Sequence, residues 1–272
     1  MTGLICRPVT IIKRMPAALI TGASTGIGRD FAQLCARDGY DLVLVARSQR
    51  RLEAVADEIR QTTKRNVLLL AKDLSQPGAC REILDEVQGA SVPVELLINN
   101  AGFGLLGLFW ELDARQQIEM IQLNIAALTE LTRLFLPGFI ERRRGAILNV
   151  ASTAAFQPGP LMSVYYASKS YVVSFSEALH NEAREYGVRV TCLCPGPTKT
   201  EFQTRAGASN TELFSSGRVM DSATVARIGL AAVKAGKPLV IAGRLNALMA
   251  FLTRFAPMQL TVSMARRFQE LK

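Results

Sequence analysis

The strongest constraint on this 272-residue chain is an alternation of short, almost uncharged apolar runs with longer amphipathic segments. The runs are Ala17–Thr21 (AALIT), Asp41–Val45 (DLVLV), Val67–Leu70, Leu96–Asn99, Ala146–Val150, Val188–Leu193 and Leu239–Ile241. Runs this short and apolar suit strands buried on both faces, as in parallel sheets. Between them lie helical patterns at Gly26–Asp38, Ser48–Thr62, Gln76–Val87, about Asp113–Arg142, about Ser163–Tyr186 and Ser222–Ala235. Ile27, Phe31 and Leu34 share one helix face; Leu52, Val55, Ala56 and Ile59 share another. Pro137 marks a bend in the fourth helix. Strand–helix alternation at this spacing implies right-handed βαβ units. The expected fold is α/β: a doubly wound parallel sheet of about seven strands with helices on both faces. Hydrophobic residues at 49% and charged residues at 20% suit one large core. Residues 15–272 therefore read as a single domain behind a loose tail at 1–14.

Doubly wound sheets bind ligands beyond the carboxyl ends of their strands, so the chemistry is sought there. After the first strand comes TGASTGIG, with Gly22, Gly26 and Gly28 removing side chains where a pyrophosphate must approach. Ser24, Thr25 and Ile27 belong to the same turn, and the next helix turns its N–H groups toward the phosphates. This is the position of a dinucleotide in a Rossmann-type fold. After the second strand no carboxylate is available to a ribose 2′-hydroxyl. Arg47 stands there instead, with Ser48 and Arg51 close by, which favours a 2′-phosphate and hence NADP(H). After the third strand, Asp73 would accept from an adenine amine or cap the next helix, beside Leu74. Asn100, Ala101 and Gly102 follow the fourth strand, where the adenosine half should lie.

The fifth strand ends in NVASTAAF, placing Ser152 just beyond the sheet. Tyr165 and Lys169 in VYYASKS are four residues apart and share a helix face. An ammonium there is expected to favour the phenolate and lower the tyrosine pKa, making a usable proton donor and acceptor. Ser152 would polarise the substrate oxygen. Tyr166 lies about 100° around the helix and is the poorer candidate.

These residues resemble the short-chain dehydrogenase/reductase family: TGASTGIG, NNAG, Ser152, YYASK and CPGPTKT occur in its order across roughly Ala17–Phe202. The resemblance implies that Tyr165 is the acid/base, that Ser152 orients the carbonyl, and that Lys169 holds the nicotinamide ribose. It further implies that Asn124 supports a water-linked proton relay to the lysine. By position, Asp73 contacts adenine, Asn100 lies by the adenosine ribose, and Pro195, Gly196, Thr198 and Thr200 flank the nicotinamide. Thr25 stands where the family's NADP enzymes often carry a basic residue. The implied reaction reduces a ketone or aldehyde, with a homodimer or homotetramer as the assembly. A non-catalytic dinucleotide-binding regulator is the alternative from another class.

The net charge of +9 is spread among acidic residues, and no groove-reading motif accompanies it, so no nucleic-acid partner is expected. Five dispersed cysteines and one histidine, His180, argue against a metal site and for a reduced, cytoplasmic setting. Residues 202–218, rich in Gly, Ser and Asn, read as a substrate lid. In 244–272 apolar residues recur at helical spacing with arginines among them and Pro257 as a break. Three roles are open to this extension: packing on the body or a partner subunit, covering an apolar substrate pocket, or weak membrane-surface contact as a peripheral lipid or acyl-chain reductase.

Overall fold

The structure, a computed structural model, describes residues 15–208, 211 and 219–270. The expected tail at 1–14 and most of the glycine- and serine-rich part of the expected lid lie outside the described residues. Seven strands form one parallel sheet: β1 (Ala17–Thr21), β2 (Asp41–Ala46), β3 (Val67–Ala71), β4 (Val94–Asn99), β5 (Gly145–Val150), β6 (Val188–Cys194) and β9 (Leu239–Ile241). Their order is β3-β2-β1-β4-β5-β6-β9, so the winding reverses between β1 and β4. Two short strands, β7 (Thr198–Lys199) and β8 (Met220–Asp221), pair apart from it.

Side chains alternate across each strand, which divides the core in two. On one face Ile20, Leu44 and Leu148 meet Phe31 of α1 (Gly26–Arg37), Leu52 of α2 (Gln49–Thr62) and Val225 of α8 (Ser222–Lys234). On the other, Leu19, Val45 and Ile147 meet Ile83 of α3 (Ala79–Gly89), Leu131 of α5 (Leu128–Glu141) and Leu179 of α6 (Ser163–Ala183). This is the three-layer arrangement expected from the apolar runs.

The long fourth helical segment departs from its expected shape. It begins as α4 (Ala114–Ile121), widens into π-helical turns over Gln122–Ala127, and continues as α5 with Pro137 inside. The irregularity thus lies upstream of the proline, where the wider turn buries Asn124. By length and composition this 28-residue rod is apolar enough to cross a membrane, yet Leu131, Phe135 and Phe139 of its apolar face are in the core. Beyond the sheet, α7 (Phe202–Arg205) opens the expected lid segment. The extension folds as α9 (Arg244–Leu252) and α10 (Met258–Gln269), broken at Pro257.

Candidate active site

Residues that immediately follow six strands, Gly22, Arg47, Lys72, Asn100, Ala151 and Pro195, line a single cleft of about 1120 Å³. The cleft therefore lies beyond the carboxyl edge of the sheet and across the point where the winding reverses.

At its β1 end, α1 starts with Thr25 as N-cap but with no side-chain cap and no acidic residue in the first turn. The first-turn N–H groups have no helical acceptor by construction, and the positive end of the helix is left without a counter-charge. By contrast, Ser48, Asp113 and Asp221 cap α2, α4 and α8 with their side chains. Gly22, Ser24, Thr25, Gly26 and Ile27 line the cleft, whereas Gly28 lies beneath the turn. A Cβ on Gly28 would meet the Gly22 carbonyl oxygen at 2.2 Å, so the turn closes this tightly only around glycine. Gly26 takes φ +52° against the Thr200 methyl, joining the turn to the loop after β6. The main-chain N–H groups of Asn100 and Ala101 both donate to the Thr21 hydroxyl, and the Asn100 amide donates to the Thr21 carbonyl at 2.9 Å. Asn100 thus clamps β4 to the turn while lining the cleft with Ala101 and Gly102. An uncapped helix start behind a collapsed glycine turn fits the pyrophosphate of a dinucleotide.

Farther along, Arg47 makes no ion pair among the described residues, while Arg51 is paired with Glu201 at 2.8 Å. Glu201 also holds Arg205 at 2.9 Å, and the two cations keep its carboxyl below the usual range. Of the two arginines expected at a 2′-phosphate, only Arg47 is without an ion pair among the described residues. Asp73 and Leu74 also line the cleft. Asp73 Oδ1 accepts from the Ser75 N–H and hydroxyl, and α3 starts later behind Gly78. The capping role left open for Asp73 is therefore ruled out by the chain path.

At the β5 end, Ser152 Oγ accepts from the Ala154 N–H at 3.1 Å, leaving its own proton to donate. Ser152, Tyr165 and Lys169 meet in the cleft wall. Burial pushes the Tyr165 phenol up to about 12, and a hydrogen bond with Ser152 pulls it the other way. This is the reverse of the lowering expected from the lysine. The physical reason is that both groups are buried: burial draws Lys169 down to about 8, against a weaker opposing pull from Cys192 and Cys194. Lys169 Nζ donates to the Val150 carbonyl at 2.9 Å and lies 5.8 Å from the Tyr165 ring centroid. Asn124 does not reach the cleft. Its amide bonds both polar groups of the Phe103 backbone and the Ser168 hydroxyl, so its side chain is committed. Gly102 separates it from Lys169; a Cβ there would meet Asn124 Oδ1 at 2.9 Å and Lys169 Nζ at 3.4 Å.

Pro195, Gly196, Thr198 and Thr200 line the cleft next to this group. A Cβ on Gly196 would meet the Asn246 amide at 2.3 Å, which shows how closely α9 rests on the loop. Much of the remaining wall comes from the apolar positions of 244–272 picked out from sequence, joined by Met162, which was not. Met162, Phe202, Leu245, Met249, Leu252, Met264 and Phe268 make it apolar, and most of them come from the extension. One side of the extension thus lines the cleft, while Leu248, Phe251, Phe255, Met258 and Leu260 are exposed.

The family model described as short chain dehydrogenase matches residues 16–211. A very-long-chain 3-oxoacyl-CoA reductase-like protein of Arabidopsis thaliana is 34% identical over 220 residues, 78% of this chain and 70% of the relative. The very-long-chain 3-oxoacyl-CoA reductase of Homo sapiens is 35% identical over 184 residues, 65% of this chain but only 58% of the relative. A short-chain dehydrogenase from Sphingobium yanoikuyae, solved in complex with NADPH, superposes with a TM-score of 0.78 at 33% identity, covering 89% of this chain and 95% of that one.

Proposed function

The chain belongs to the short-chain dehydrogenase family of oxidoreductases, and from that premise we propose that it is an NADP(H)-dependent reductase of bulky, apolar ketones or aldehydes. The observation that carries this reading is the Tyr165 phenol in the cleft wall beside Ser152, with Lys169 Nζ 5.8 Å from its ring centroid and burial raising its pKa above the ordinary value. A phenol protonated throughout the physiological range is a donor ready for reduction.

Gly22, Ser24, Thr25, Gly26 and Ile27 would hold the pyrophosphate, and Gly28 would keep that turn closed. Arg47 would take the 2′-phosphate, Asp73 and Leu74 the adenine, and Asn100, Ala101 and Gly102 the adenosine ribose. Pro195, Gly196, Thr198 and Thr200 would flank the nicotinamide. Bound there, the nicotinamide supplies the hydride. Ser152 turns its hydroxyl proton from Tyr165 to the substrate oxygen and holds that oxygen beside Tyr165. Tyr165 gives its proton to that oxygen as negative charge gathers on it. The Lys169 ammonium stabilises the phenolate this leaves, and a pKa of about 8 lets the amine pass a proton onward near neutral pH. Asn124, next to Gly102 and across it from Lys169, would support the water-linked relay to the lysine.

The apolar wall and the long-chain substrate in the relatives' names support a hydrophobic substrate. NADPH in the Sphingobium relative and Arg47, without an ion pair among the described residues, support the cofactor. Outward-facing Leu248, Phe251, Phe255, Met258 and Leu260, beside Arg254, support weak contact with a membrane surface by an otherwise cytoplasmic enzyme. Exposed Ile118 and Tyr171 support assembly as a homodimer or homotetramer through the two long helical segments. The test is a fluorescence titration with NADPH and NADH, followed by turnover of ketones and 3-oxoacyl thioesters of graded length. NADPH should bind more tightly, and Arg47→Asp should weaken it by about tenfold or more while sparing NADH. Tighter binding of NADH by the wild type would remove the role given to Arg47.

A further inference from the structure

Gln269 ends α10 with its side chain almost wholly buried at the cleft wall, 1% exposed. Its Nε2 donates to the Tyr166 hydroxyl at 2.7 Å, and its Oε1 is buried without a partner among the described residues. A buried acceptor left unpaired is costly, and folded chains rarely tolerate one without a use for it. Turning the amide over does not remove the deficit. In either orientation the Gln269–Tyr166 pair satisfies one bond internally and leaves two donor hydrogens and one acceptor oxygen unsatisfied within the pair. Neighbouring polar side chains of the extension are already spent on local carbonyls: Asn246 on Ala242, Thr253 on Ala250 and Thr261 on Met258. Met162, Met264 and Phe268 line the same cleft as the pair. The Tyr166 ring stands edge-on to the Tyr165 ring, with centroids 6.1 Å apart, and Tyr165, Tyr166 and Gln269 line the same cleft.

We propose that Gln269 and Tyr166 form a second polar anchor, which takes a hydroxyl or whole amide group carried by the substrate near its reacting carbonyl. The inference rests on the ketone-reductase reading and narrows its substrate class. The preferred substrate is an apolar ketone with one nearby group that both donates and accepts a hydrogen bond. A hydrocarbon ketone of the same shape leaves the anchor unpaired and is discriminated against, as expected where a site is built to bond a polar group.

The test uses the full chain with NADPH and a panel of bicyclic ketones bearing one hydroxyl at successive positions, each paired with a methyl counterpart of equal size. At one position kcat/KM should favour the hydroxyl compound by about tenfold or more. In Gln269→Leu, and separately in Tyr166→Phe, that ratio should fall toward unity. Because the ratio is taken within one variant, loss of folded protein or a merely structural clip does not move it. A wild-type enzyme that reduces the panel with no such preference, or a preference that survives both substitutions, overturns the anchor and leaves the reductase reading standing. Calorimetric dissociation constants for the same compounds separate the two claims. If no ketone is turned over but hydroxyl-selective binding is present and lost in Gln269→Leu, the anchor stands and the reductase reading fails. If binding is equally indifferent to the hydroxyl, the anchor fails too.

Discussion

Replacing Lys169 with methionine should stabilise the fold at neutral pH while removing activity. Lys169 is 5% exposed, and burial lowers its pKa from 10.5 to about 8. At about 1.4 kcal/mol per pH unit, that gap amounts to about 3 kcal/mol. The unfolded chain binds the extra proton between pH 8 and 10.5, so over that window the wild type gains stability as pH rises. Below pH 8 the cost of burying the ammonium is fully present; above 10.5 it is gone. Methionine keeps most of the volume and never carries the charge, but it loses the 2.9 Å hydrogen bond to the Val150 carbonyl. That loss costs about 1–2 kcal/mol. The net expectation at pH 7 is a Lys169→Met variant more stable by about 1–2 kcal/mol, becoming less stable than wild type by a similar amount near pH 10.5. Urea unfolding of both proteins at pH 7, 9 and 10.5 measures the difference, and groups common to both cancel from it. A variant destabilised equally at all three values would refute the idea that the site holds a strained cation. The strain would then have to be sought elsewhere in the Tyr165–Lys169 pair.

Two further outcomes follow from the cofactor end of the cleft. Gly28→Ala forces a Cβ to within 2.2 Å of the Gly22 carbonyl and 2.6 Å of the Asn100 amide, so the turn must open. NADPH binding should weaken by about tenfold or more with a stability loss of about 1–3 kcal/mol, read by titration and urea unfolding. Unchanged NADPH affinity would mean that the turn does not hold the pyrophosphate. Glu201→Gln releases Arg51 from its 2.8 Å ion pair next to Arg47. NADPH should then bind up to about fivefold more tightly, the scale of one exposed charge interaction, with NADH unaffected. An equal change for both coenzymes would separate Arg51 from any 2′-phosphate role.

Local patterns carried the sheet. Runs such as AALIT and DLVLV name their own strands because burial on both faces removes polar residues from them, and β1 is buried from end to end. Ser152, Tyr165 and Lys169 were legible for a related reason, since strand ends and i,i+4 spacing dictate where side chains go. The direction of the Tyr165 pKa was not legible. Spacing identifies the neighbouring lysine but not how deeply both groups are buried, and burial is what moves each of them here. Asn124 could be picked out by resemblance, but nothing in QLNIAA announces the π-helical turn that commits its amide to Phe103. The Arg51–Glu201 and Gln269–Tyr166 contacts join residues 150 and 103 positions apart, beyond the reach of any periodicity. The extension was recognisable as helical and apolar, yet only packing could show that one side of it closes the cleft.

The account depends on the Tyr165 hydroxyl as the proton donor, and Tyr165→Phe tests it with the least ambiguity. Phenylalanine preserves the ring that packs at 5.3 Å from Phe202 and removes one oxygen. In single-turnover mixing with NADPH and a ketone that the wild type reduces, the variant should be slower by about a thousandfold or more, in keeping with loss of a general acid. Its NADPH dissociation constant should stay within about threefold of wild type. Reduction at near wild-type rate by this variant would contradict the mechanism outright, since the proton would then have to come from another group.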